Sequence, residues 1–173
     1  MGLLVVGCKA KSALPPPALP KANVLQQTIE SGAGSTELFS PTKTSQRLWK
    51  VEWKSASVTA RAESKEGMVQ MDPDSGIMNE VTGEVDDDQG VASTFRGDRA
   101  EADKAEQVLA LTGKVVVISK RKNGKLTCDR LEWLPKRKRY HAVGNVVATG
   151  PVGTLGPFPE IWATPDLKKV STP

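Results

Sequence analysis

Apolar and polar residues alternate along most of the chain after residue 48. In LWKVEWK (48–54), Trp49, Val51 and Trp53 share one face of an extended strand, and charged residues take the other. VVVIS (115–119) is rich in β-branched residues, which fit a pleated surface. The alternation also surrounds three glycines. Val81, Gly83 and Val85 form one set; Leu111, Gly113, Val115 and Val117 the next; Ala142, Gly144, Val146 and Ala148 the third. The stretches read VTGEV (81–85), LTGKV (111–115) and AVGNV (142–146), and their glycines recur at intervals of 30 and 31 residues. A fixed period of this size marks a repeated supersecondary unit.

The second and third units agree over a longer span. Asp98 precedes Gly113 by 15 residues, and Asp129 precedes Gly144 by 15. Gly97-Asp98-Arg99-Ala100 aligns with Cys128-Asp129-Arg130-Leu131. Each unit reads as two strands and a turn. Turn signals lie at DDDQG (86–90) and at KRKNG (120–124), where Asn-Gly favours a two-residue hairpin turn. The first unit has its turn at residues 72–76, where the third has residues 135–138. ADKAEQVLAL (102–111) alone could pass as a helix, and its place in the repeat argues for strand. A glycine facing inward on a strand leaves room for close backbone approach, a bulge or a bend. Three in register predict successive strands curving together into a rolled antiparallel sheet. Two-stranded units cannot bury a face alone, so they stack.

Residues 9–47 carry no sustained periodicity beyond a weak one in NVLQQTIE. ALPPPALPK is proline-rich and ESGAGSTE is flexible, so this span reads as a disordered tether. Residues 1–8 hold a short apolar run ending in Val5-Val6-Gly7-Cys8. That pattern is similar to a bacterial lipobox, truncated because no basic start precedes it, and it makes Cys8 a candidate lipid anchor. A plain leader with an incidental cysteine is the alternative. Residues 48–173 form the expected domain. After the repeats, residues 150–170 are rich in Pro and Gly. They suit a closing edge strand, or a segment that packs Phe158 and Trp162 over an open end.

Composition narrows the chemistry. The 173 residues include 38% hydrophobic types, twelve prolines and fifteen glycines, with a net charge of +4, too weak a balance to argue for nucleic acid. A single histidine, His141, has no Cys, Asp or Glu at ligand spacing and reads as a strand residue, so no metal or His-based triad is expected. Cys128 occupies the place of Gly97 and reads as a small buried thiol. No phosphate loop or Gly-x-Ser-x-Gly motif is present. No catalytic residue or cofactor is nominated. Early turns are acidic (Asp72, Asp74, Asp86, Asp87, Asp88) and late ones basic (Lys120, Arg121, Lys122, Lys136, Arg137, Lys138, Arg139). In a meander this makes a dipole from one sheet edge to the other, favouring head-to-tail docking. Contact of the basic turns with anionic lipid headgroups is the alternative.

The Asp-containing strand, the short turn and the strand ending in LTGKV or AVGNV together resemble the OstA family, the periplasmic lipopolysaccharide-transport proteins of the LptA and LptC type. The resemblance covers about residues 48–150 and is sharpest in the second and third units. It implies a twisted, partly open antiparallel β-jellyroll that carries acyl chains in an apolar groove. It also implies edge-to-edge docking with other jellyrolls of a transport bridge served by an inner-membrane ABC transporter. Val81, Val85, Leu111, Val115, Val117 and Val146 are nominated to line the groove, with Gly83, Gly113 and Gly144 as its repeat glycines. Each buried CH₂ supplies about 0.8 kcal/mol, so acyl binding needs no catalytic group. The expected protein is a non-enzymatic lipopolysaccharide or glycolipid carrier. It would sit on the periplasmic side, tethered through Cys8, at the inner membrane rather than the outer. The rival is a structural envelope lipoprotein that binds proteins and no lipid, its interior an ordinary closed core.

Overall fold

The computed structural model describes residues 25–40, 46–65, 68–103 and 106–173. Eleven strands form one antiparallel sheet that does not close: β1 (Leu25–Ser31), β2 (Gly34–Phe39), β3 (Arg47–Trp53), β4 (Ser55–Lys65), β5 (Met68–Asp87), β6 (Gly90–Asp103), β7 (Val108–Ser119), β8 (Lys125–Leu134), β9 (Arg139–Gly150), β10 (Gly153–Ala163) and β11 (Val170–Ser171). One 3-10 turn, Pro135–Arg137, joins β8 to β9. The sheet runs β4 to β11 as a meander. On the far side of β5, β4 pairs with its first part and β3 with Thr82 to Val85, carrying β1 and β2 respectively. The all-β antiparallel sheet expected from the alternation is therefore present, and it is open, as the resemblance implies.

The long strands bend at a common level. Pairing is regular on both sides of an irregular band that crosses β6 between Arg96 and Arg99, β7 between Thr112 and Val115, β8 between Thr127 and Arg130, and β10 between Phe158 and Glu160. Within this band Glu80, Gly113, Lys114, Gly144 and Asn145 all take left-handed φ angles, between 45° and 78°. On the β3 side the chain breaks outright at Lys54, whose N–H donates to the Asn79 carbonyl oxygen. The two halves of the sheet fold toward each other across this band. The Ser93 hydroxyl, on the β6 segment before it, meets the Tyr140 hydroxyl, on the β9 segment before its own bend, at 2.6 Å. In a flat sheet these residues would lie at opposite ends of their strands.

This answers why the glycines recur, and corrects where they point. Gly113 and Gly144 are corner residues. A Cβ on Gly113 would press on Asp98, and one on Gly144 on Asp129, with carboxylate oxygens 2.7 and 2.6 Å away. Both aspartates are exposed, so these glycines do not face the interior as expected. The fifteen-residue Asp–Gly spacing is the contact between neighbouring strands at the bend. Gly83 is not their counterpart. It pairs with Phe95, which pairs with Val117, which pairs with Leu126, which pairs with Ala148. Its structural equivalents are thus Val117 and Ala148, and the matching bend in β5 is at Glu80. Gly83 does face inward. A Cβ there would overlap the Lys50 carbonyl oxygen and the Phe95 ring.

The core lies between the folded halves. One inner row crosses seven strands through Ala56, Met78, Ala100, Leu111, Leu131, Ala142 and Ile161, each at most 3% exposed. Small and large side chains mix along it, which lets facing rows interdigitate. Trp133 and Tyr140 pack with ring centroids 5.3 Å apart.

Three further expectations change. The tether expected over residues 9–47 is strand in part: β1 and β2 occupy Leu25–Ser31 and Gly34–Phe39. Main-chain pairing to β4 and β3 builds these strands from largely polar residues, so their hydrophobic signal is weak. Residues 9–24, 41–45 and Cys8 lie outside the described residues. The turn expected at 72–76 is continuous strand within β5, with a bulge opposite Thr59 and Ala60, the setting in which Pro and Gly are tolerated in strands. The β7–β8 connection spans 120–124 instead of two residues. The Ser119 hydroxyl accepts the N–H groups of Arg121 and Lys122 there and donates to the Asp166 carbonyl oxygen at 2.7 Å. Residues 102–103 and 108–111 are strand and 106–107 a turn, as the repeat required, and residues 153–163 form the closing edge strand.

Candidate functional site

The six nominated lining residues all face inward, and all are sealed. Val81, Val85, Leu111, Val115, Val117 and Val146 are each at most 1% exposed and belong to one buried cluster. None lines the three clefts described next. The expected open trough is a filled core along β5 to β9.

The interior opens elsewhere. The inner row through Val51, Phe95, Val117 and Leu126 is at most 4% exposed, and it continues into half-buried Ala148 on β9. It then emerges at Leu155 on β10, which is 57% exposed. The reason is topological. β11 pairs only with Trp162 and Ala163, so the first half of β10 has no further strand beside it. Leu167, in the segment after β10, rests against Gly124 and the edge of the core. A cleft of about 340 Å³ remains, lined by Leu126, Ala148, Val152, Leu155, Leu167 and Val170. Lys122, Lys125 and Lys168 line its rim, and among the described residues no carboxylate does. Such a volume is at the small end for ligand pockets and suits a narrow apolar chain. Gly156 holds this edge close to β9. Its φ is 115°, and a Cβ there would overlap the Val146 carbonyl oxygen.

A second cleft is braced by charge pairs. It measures about 410 Å³ and lies where the 86–88 turn meets the β8–β9 turn, lined in part by Asp86, Asp88, Trp133, Pro135 and Lys138. Arg47 bonds Asp86 and Glu84 at 2.7 Å each and Glu37 at 3.1 Å, and these acids hold its guanidinium well above the ordinary arginine range, Asp86 contributing most. Arg121 bonds Asp87 at 2.7 Å, which depresses the Asp87 carboxyl below the usual carboxylate range. Lys138 bonds Asp88 at 2.6 Å. Arg121 and Lys138, from two of the basic late turns, therefore pair with Asp87 and Asp88 of the acidic early turn within the chain, and Asp86 pairs with Arg47 of β3. A third cleft of about 350 Å³ lies on the outer face, with Lys50, Glu52, Glu84 and Arg96 around it and Val116 and Ile118 in its lining.

His141 acquires partners that its sequence neighbourhood does not show. Its Nε2 lies 2.7 Å from Glu160 and its Nδ1 3.5 Å from Glu132, and it stacks on Trp162 at 4.4 Å. The Glu132 carboxyl is held below its usual range, first by Arg130. Among the described residues, no group of three or more His, Cys, Asp or Glu is placed to hold a metal, and no helix is long and apolar enough to cross a membrane. Cys128 is buried, and desolvation pushes its thiol up to about 12, leaving it unreactive at neutral pH.

Sequence reasoning missed the residues of the open cleft. The available signal was GPVGTLGP, where Val152 and Leu155 sit among turn formers that ordinarily keep polar company. No protein-family model matches the chain, and no curated protein matches it.

Proposed function

We propose that the chain binds the acyl part of an anionic glycolipid, lipopolysaccharide or a relative, at the β9–β10 mouth and passes it on without catalysis. One observation carries this reading: an apolar row runs unbroken from the sealed core to an open cleft whose charged lining groups, among the described residues, are all lysines. Acyl chains need an apolar surface free of unpaired polar groups. Phosphorylated headgroups are matched by the lysine rim. The resemblance of the Asp–Gly repeats to the OstA family supports the same class of cargo. It also supports a place in an envelope transport bridge, on the periplasmic side, with jellyroll partners, an ABC transporter as the source of drive, and Cys8 as the tether. The test is binding of fluorescently labelled, detergent-dispersed lipopolysaccharide to the full chain. Saturable binding, competed by unlabelled material and weakened about tenfold by Leu155→Asp, is expected.

The sealed state of the six nominated residues favours a second reading, an envelope scaffold that binds proteins and no lipid. Absence of saturable glycolipid binding would select it.

A further inference from the structure

We infer that the β9–β10 hairpin tip is a docking surface for an anionic membrane, so that the mouth opens directly against a bilayer. Pro151 and Val152 form the two-residue connection between paired Gly150 and Gly153. Val152 is 97% exposed, far beyond the other exposed large hydrophobic residues, which are 37–57% exposed. The tip stands clear of the rest of the chain, since a Cβ on either flanking glycine would meet no atom within 4 Å. Turns of this kind ordinarily carry polar residues.

Three segments converge on this end. Val152 and Leu155 come from the hairpin, Lys122 and Lys125 from the β7–β8 connection and the start of β8, and Lys168 and Val170 from the segment after β10. Lys120 and Lys169 are exposed beside them. Apolar residues projecting beyond a ring of lysines, with no carboxylate among the described residues lining the cleft, complement an anionic headgroup layer over an acyl interior. A soluble protein partner would more commonly meet a larger apolar patch with charges of both signs. Acyl chains could then move from bilayer to cleft without crossing water. The docking does not depend on the cargo proposed above, because a peripheral contact would form with or without it.

The test is flotation of the full chain with vesicles of neutral phosphatidylcholine, and with vesicles partly replaced by phosphatidylglycerol. Binding is expected only with phosphatidylglycerol, falling as salt rises. Val152→Asp should weaken it about tenfold, and Lys122→Glu or Lys168→Glu at least about fivefold each. Any affinity of the apolar N-terminal residues is common to all these chains, so the difference between them reports the tip. Equal flotation of Val152→Asp and the parent, equal binding to neutral and anionic vesicles, or no flotation at all would overturn the inference. The last outcome would assign the tip to a protein. Tip-dependent flotation without glycolipid binding in solution would overturn the proposed function alone. Glycolipid binding with tip-independent flotation would overturn this inference alone.

Discussion

Two stretches of the same inner face behave differently. Along β5 to β8, Val81, Leu111, Val115 and Leu131 are sealed between the folded halves of the sheet. At the first half of β10, Leu155 occupies the same face and is mostly exposed. The side chains are alike in chemistry, so hydrophobicity does not decide which stretch is open. Strands on both flanks and the opposite half-sheet cover the first stretch, whereas β10 has a free flank where β11 falls short. Charges differ between the clefts as well. Around the 86–88 turn, Asp86, Asp87 and Asp88 each have a cationic partner in the chain. At the mouth, among the described residues, the lysines have no carboxylate lining the cleft with them. A carrier built this way would take cargo at its edge, and a closed centre would hold the edge in shape.

Substitutions should separate the two regions by size of effect, measured by urea unfolding of the full chain. Leu131→Ala removes a fully buried side chain from the inner row and should cost about 4 kcal/mol. Equal costs for Leu131→Ala and Leu155→Ala would erase the distinction. Gly83→Ala should cost about 3 kcal/mol, because the added methyl meets the Lys50 carbonyl oxygen and the Phe95 ring; Gly150→Ala, with open space around it, should be close to neutral. Gly144→Ala should cost about 2 kcal/mol, since φ is 78° and the methyl presses on Asp129.

Alkaline pH sharpens the contrast further. Burial raises the folded-state pKa of Cys128 to about 12, and that of Tyr140 well above the ordinary phenol value. A group that binds its proton more tightly when folded loses stability as pH rises past its unfolded pKa. Stability should therefore fall by about 1.4 kcal/mol per pH unit above roughly pH 9 from the thiol, and more steeply above roughly pH 10 as the phenol joins. Cys128→Ala should remove the first part of that slope in a stability–pH profile. The smallest effect belongs to the mouth. Leu155→Ala should change stability by less than about 0.5 kcal/mol.

The alternation of Trp49, Val51 and Trp53, and of the residues around Gly113 and Gly144, made the strands legible because period two is a local property. The corners at Gly113 and Gly144 were legible for the same reason, since a left-handed residue there selects glycine. The corner in β5 was not, because Glu80 occupies it and Gly83 of VTGEV imitates the other repeat glycines from a register four residues away, level with Val117 and not with Gly113. The inward direction of the six nominated residues was readable. Their inaccessibility was not, because it depends on which half-sheet lies across from them. His141 gained Glu132 and Glu160 by cross-strand register, and the mouth gained Lys168 from a segment more than forty residues beyond Lys122 and Lys125, by chain reversal. Neither leaves a mark at short range.

The central claim is that one apolar face is shut at its centre and open at its β10 edge to an acyl chain. The most direct measurement is photo-cross-linking of the full chain with purified lipopolysaccharide, a photoreactive residue replacing Leu155 in one protein and Val115 in another. An adduct at 155 and none at 115 is expected. No adduct at 155, or equal adducts at both, would contradict the claim. The first would leave the edge without cargo, and the second would mean the interior opens along its length.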